Sequence, residues 1–127
     1  MFRLLSSDLV DLIHENVLNP GELQGRAGDK SLEGALSRVD NRLAFGMVED
    51  GFSLAAFYAE AIVQGHCFND GNKRTAHLSM DVCLDLNGIA IKWVTEDVAD
   101  RIILLAQGKL EAEAFAYWLR TLPNPLK

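Results

Sequence analysis

The stretch SLAAFYAEAIVQ (residues 53–64), GHCFND (65–70) and GNKRTAHLSMDVCLDL (71–86) decides the fold. In its first part only Ser53, Glu60 and Gln64 are strongly polar, and they fall near one stripe. In its last part Lys73, His77, Asp81 and Asp85 recur every fourth residue, which puts them on one helical face. Ala76, Leu78, Met80, Val82, Cys83, Leu84 and Leu86 cover most of the remaining surface. A helix that is apolar over most of its circumference belongs in the middle of a domain. Two central helices, over 53–64 and 72–86, are therefore predicted to flank one short polar loop, with Asn87-Gly88 as a left-handed stop.

Outward from this pair the pattern stays helical. Residues 8–18 form a helix capped by Ser6 or Ser7, whose inward face is Leu9, Leu12, Ile13 and Asn16 with Val17 beside it. Three glycines make 21–30 a loop. A second helix spans 30–43, capped by Asp29, with Leu32, Ala35, Leu36, Val39 and Leu43 inward. Residues 45–51 read as a turn or short hairpin, and 89–94 as a brief extended piece. Thr95 caps a helix over 96–107 with Val98, Ile102, Ile103 and Leu105 inward, and a last helix covers 111–122 behind Phe115, Trp118, Leu119 and Leu122. The fold class is all-α. No repeat, linker or low-complexity tract divides the 127 residues, so a single domain over 1–127 is expected.

Composition limits the function classes. No apolar run reaches the length of about 18 needed to cross a membrane, and acidic residues at 8 and 11 interrupt any signal-like core at the start. The net charge of −6 disfavours direct nucleic-acid binding, which relies on a basic surface. Cys67 and Cys83 lack metal-ligand spacing, and a cytoplasmic, reduced protein is the simplest account. Cys83, Trp93 and Trp118 are expected in the core. His14 has no partner in the sequence and receives no role.

The polar loop holds the chemistry. An imidazole, a carboxylate, a glycine, a carboxamide, an amine and a guanidinium lie between His66 and Arg74. The helix starting near Asn72 offers free amides, and its dipole attracts phosphate. Gly71 lets backbone approach a ligand closely. Lys73 and Arg74 add positive charge at the same end, where cations cost a helix a few tenths of a kcal/mol each, a cost that a bound anion offsets. Asp70 suits Mg2+, which takes one or two carboxylates plus phosphate oxygens, and it could cap the helix as well. His66 suits proton transfer at neutral pH. A salt-bridge ladder of Lys73 with His77 and Asp81 is the minority alternative. Together the groups point to phosphoryl or nucleotidyl transfer, a chemistry of positioning and charge neutralisation.

His66-x-Phe68-x-Asp70-Gly71-Asn72-Lys73-Arg74 resembles the signature of the Fic/Doc family, with seven of nine positions specified. The glycine-rich loop before Leu32, the apolar helix before His66 and the Leu-Asn-Gly88 helix end resemble the Doc branch. Adenylylating members usually carry glycine where this chain has Lys73, and a second arginine where it has His77. The resemblance therefore implies transfer of the ATP γ-phosphate rather than AMP. It implies His66 as the base toward a Ser/Thr hydroxyl and Asp70 as the Mg2+ residue. Gly71, Asn72, Lys73 and Arg74 become the phosphate cradle, Phe68 an anchor, and 45–51 the flap that docks the target. It further implies a toxin acting on elongation factor Tu and restrained by an antitoxin protein encoded nearby. No inhibitory Ser/Thr-x-x-x-Glu-Gly/Asn helix is present, which suits control by a separate protein. The rival readings are a protein adenylyltransferase and a Fic-like scaffold that binds without turnover.

Overall fold

The computed structural model describes residues 1–125. Its six helices are α1 (Ser7–Val17), α2 (Leu32–Ala44), α3 (Gly51–Gly65), α4 (Asn72–Leu86), α5 (Thr95–Ala106) and α6 (Ala112–Arg120), and no strand pairs into a sheet among the described residues. The all-α expectation holds. Helix α3 is the axis: eleven of its fifteen residues are buried, so it has almost no solvent face. Its small residues Ala55, Ala56, Ala59 and Ala61 let α2, α4, α5 and α6 pack closely around it, and α4 in turn carries α1 and α5. Phe57, Tyr58, Met80, Ile102, Phe115 and Leu119 fill the space between. One buried cluster runs from Leu5 to Leu119, and Cys83 lies inside it.

Local chemistry sets the helix starts. Ser6 accepts from the Leu9 amide, Ser31 from Gly34 and Asp50 from Ser53. Ser31, not Asp29, therefore caps α2, which starts at Leu32 rather than at residue 30. Helix α3 begins two residues earlier than its apolar pattern suggested, because Asp50 supplies the cap and is itself gripped by Arg120 (Nε–Oδ2 2.8 Å). Arg120 also donates to Ser53 Oγ, so this polar residue is buried rather than part of a wet stripe. Thr95 lies inside α5 and does not cap it. Residues 45–50 form a turn, and the hairpin alternative falls. Residues 89–94 run without a partner strand among the described residues; Lys92 N donates to the Pro123 carbonyl instead (2.8 Å). Gly88, at φ +74°, ends α4 in the left-handed conformation expected of it.

Two inward faces differ from the periodic reading. Leu12 is 55% exposed, and the buried face of α1 is Val10, Ile13 and His14. The helix is turned so that His14 reaches the 66–74 loop, a contact that no hydropathy pattern encodes. Ile103 of α5 is 39% exposed, with Val98, Ile102 and Leu105 filling the interface.

The N-terminal segment is fastened by one polar contact: the Leu5 amide donates to Tyr58 Oη at 3.0 Å inside the core. Burial pushes the Tyr58 hydroxyl pKa up to about 12, so it stays neutral. Tyr58→Phe leaves the Leu5 amide buried without an acceptor. It is expected to cost about 1–2 kcal/mol in chemical denaturation, with the helical circular dichroism spectrum unchanged.

Candidate active site

The chain enters the 66–74 loop through a left-handed residue. His66, just past α3, has φ +46°, and is the single non-glycine residue with positive φ among those described. Such a conformation is costly for a side-chain-bearing residue and concentrates at functional sites. It reverses the chain direction, and His66 comes to line a cleft of about 340 Å3. The ring is exposed and makes no hydrogen bond within the described residues.

The loop is closed by its own side chains. Asn72 accepts from the Phe68 amide (3.1 Å) and donates to the Phe68 carbonyl (2.9 Å). Ala27 N to Cys67 O (2.8 Å) and Asn69 N to Gly25 O (3.1 Å) stitch the loop to residues 24–27, and the Asn69 carboxamide donates to the Gln24 carbonyl (2.9 Å). Phe68 is buried. On one of its faces lies the His14 ring, 3.9 Å away and nearly parallel. His14 is 2% exposed, and its Nε2 lies 2.7 Å from the Asp70 carbonyl oxygen. A carbonyl can only accept, so Nε2 carries the hydrogen.

That bond orients the anion cradle. In a trans peptide the C=O and the next N–H point in opposite directions. Holding the Asp70 carbonyl toward α1 therefore turns the Gly71 amide away from α1. Gly71 occupies the N-cap position of α4 at φ +79°, and no side chain caps this helix. Neither the Gly71 amide nor those of Asn72, Lys73 and Arg74 has a protein partner among the described residues. The helix end is open, as an anion site requires.

The expected site residues come together: His66, Asp70, Gly71, Asn72, Lys73 and Arg74 line the same cleft, with Val63, Asn69 and Glu22. Asp70 is not the helix cap. Its Oδ2 accepts from the Leu23 amide (2.7 Å), and Oδ1 makes no bond among the described residues. The Asn72 carboxamide is committed to Phe68, so only its backbone amide faces outward duty. Lys73 is exposed and forms no ion pair among the described residues, so the ladder with His77 and Asp81 is absent. His77 lies outside the cleft, half-buried near Trp93, and burial pushes its pKa down. Arg74 donates to the Val17 carbonyl (2.8 Å) and pairs with Glu22. This pairing holds the Glu22 carboxyl below the usual range and raises the pKa of the guanidinium.

No metal-type cluster of three His, Cys, Asp or Glu residues exists among the described residues. Asp70, with one oxygen unused beside free amides, fits a cation held partly by phosphate, as Mg2+ often is. Two residues of this site escaped the sequence reading. His14 carried a weak signal, a polar residue four positions before the apolar-to-loop transition. Glu22 carried none, since a glutamate in a glycine-rich loop looks like any solvated charge.

His14→Phe keeps the ring and removes the donor. The expected result is a loss of about 1 kcal/mol in stability and weaker binding of pyrophosphate by calorimetry, with His14→Gln recovering part of the binding.

The model of the Fic/DOC family matches residues 4–84. A relative named "Protein kinase doc", from Escherichia phage P1, is 32% identical over 122 residues, covering 96% of this chain and 96% of that protein. The chain belongs to the Fic/Doc family.

Proposed function

For a chain of the Fic/Doc family, we propose an ATP-dependent protein kinase of the Doc type, carried by a single domain over 1–127 and acting as a toxin in the cytoplasm. The observation that carries this reading is the pairing in one cleft of amides at 71–74 and an exposed His66 ring, none of them bonded among the described residues. The similarity to "Protein kinase doc" along nearly the whole chain supports the same transfer. No helix among the described residues is long and apolar enough to cross a membrane.

In the proposed reaction His66 takes the proton of a Ser/Thr hydroxyl. The hydroxyl oxygen forms a bond to the γ-phosphorus, the bond from that phosphorus to the β-phosphate bridge oxygen breaks, and ADP leaves with the electron pair. The amides of residues 71–74, with Lys73 and Arg74, stabilise charge on the phosphates without reorganising. Asp70 would hold Mg2+, which supplies further charge neutralisation. The target proposed from the family resemblance is elongation factor Tu, with arrest of translation as the consequence, and a nearby-encoded antitoxin as the restraint. Phosphoryl rather than adenylyl transfer is favoured because Lys73 fills the usual glycine position and His77 replaces a second arginine.

Incubation with ATP and elongation factor Tu, followed by mass spectrometry, is expected to show a gain of phosphate on Ser or Thr. A gain of AMP would instead establish an adenylyltransferase. His66→Ala should lower the transfer rate by about 10²–10⁴-fold, the usual loss of a general base. Unchanged labelling would favour the non-catalytic scaffold. Lys73→Gly should lower phosphoryl transfer, measured with γ-labelled ATP; equal rates in the two proteins would count against the Doc-branch assignment.

A further inference from the structure

Glu22 occupies the cationic end of the cleft. Its Oε2 pairs with Arg74 Nη2, and its Oε1 accepts from the Asn19 amide at 2.6 Å. The residue thus lines the same cleft as His66, Asp70 and Lys73. The Arg74 guanidinium that this carboxylate holds lies beside Gly71, its Nη2 3.7 Å from where a Gly71 Cβ would stand, within reach of a phosphate on the amides of 71–74. Nη1 and Nη2 of Arg74 are both engaged, by the Val17 carbonyl and by Glu22, so a phosphate seated on that fork would lie against the Glu22 carboxylate, where like charges repel.

We propose that Glu22 is a specificity-determining residue, an internal competitor that a ligand must displace from Arg74 by delivering a phosphate there. This rests on the anion-site reading given above and adds a requirement on the ligand's charge. The pair is exchangeable, since Arg74 and Glu22 side chains are 39% and 25% exposed and such pairs are weakly held. A phosphoryl group carries more charge than a carboxylate and gains the free helix amides as well, which the Glu22 side chain does not reach. The displaced side chain has somewhere to go. Glu22 also borders a second cavity of about 730 Å3 on the α1 side, lined by Glu15, Asn19, Gln24 and Arg26.

The remainder of the loop need not move. Arg26 pins it to Asp11 and Glu33 (2.7 Å each), and Leu23 N remains bonded to Asp70. Exchange is therefore a side-chain event at Glu22, with the Asn19 amide as its reporter. Neutral ligands, adenosine among them, lack the group that expels Glu22 and gain nothing from its removal.

The test compares the wild-type chain with Glu22→Gln and Glu15→Gln by calorimetry, using pyrophosphate, ATP and adenosine. Glu22→Gln is expected to bind pyrophosphate and ATP about tenfold tighter, the gain when the Glu22-free form is about a tenth of the population. Adenosine should be unaffected. Glu15→Gln removes the same charge nearby without touching Arg74, and is expected to change affinity less than twofold. Equal tightening by both variants would mean a general field effect and would overturn the proposal. So would unchanged binding in Glu22→Gln, while wild-type binding of ATP would leave the anion-site reading standing. If neither chain binds pyrophosphate or ATP, both fall. In the wild-type chain, saturating ATP should speed hydrogen exchange at the Asn19 amide; continued protection there is a second refutation, independent of any variant's folding.

Discussion

A buried hydrogen bond between His14 Nε2 and the Asp70 carbonyl carries the geometry of the cleft. The loop 66–74 contains few apolar groups and would otherwise be free to turn its amides inward or onto its own carbonyls. Stacking on Phe68 fixes where the His14 ring sits, and the ring fixes the plane of the 70–71 peptide. From that plane follow the left-handed Gly71, the uncapped start of α4 and the outward run of unpaired amides. The arrangement spends stability: four amides go unbonded among the described residues, and two cations stand at the positive end of a helix dipole.

That expenditure is supported by the packing of α3. A helix buried on nearly every side cannot rock, so the ends of α3 and α4 are held at fixed separation. The short connection between them must then arch, and His66 takes the left-handed conformation that the arch demands. Arg120, gripping Asp50 and Ser53, steadies the opposite end of α3 next to the 45–50 turn. Core and cleft are thus one mechanical system, in which the rigid apolar pair presents a strained polar loop.

The charge arrangement within the cleft is equally specific. In a chain of net charge −6, Lys73 stands without an acidic partner among the described residues while Arg74 is satisfied by Glu22. A cleft with both cations bare would bind any passing anion. One with both neutralised would keep only the helix amides to hold an anion. Leaving one open and one under competition sets a threshold on ligand charge, consistent with a site that handles polyphosphates.

How much of this could be read from the residues depends on the range of the interactions. The two central helices, the α4 boundaries and the cluster 66–74 were legible, because helical period, left-handed stops and motif spacing are local properties. Caps were less so: several residues near each start can accept an amide, and geometry chose Ser31 over Asp29 and Asp50 over nothing at all. The inward face of α1 departs from its apolar pattern, which favours Leu12 whereas the fold needs His14. What the chain's order of residues fixed by itself is the all-α class, the central pair and the chemistry of the loop between them. Only the tertiary structure decided that His14 holds that loop open and that Glu22 sits on Arg74. Those contacts join residues 56 and 52 positions apart, and no local periodicity extends that far.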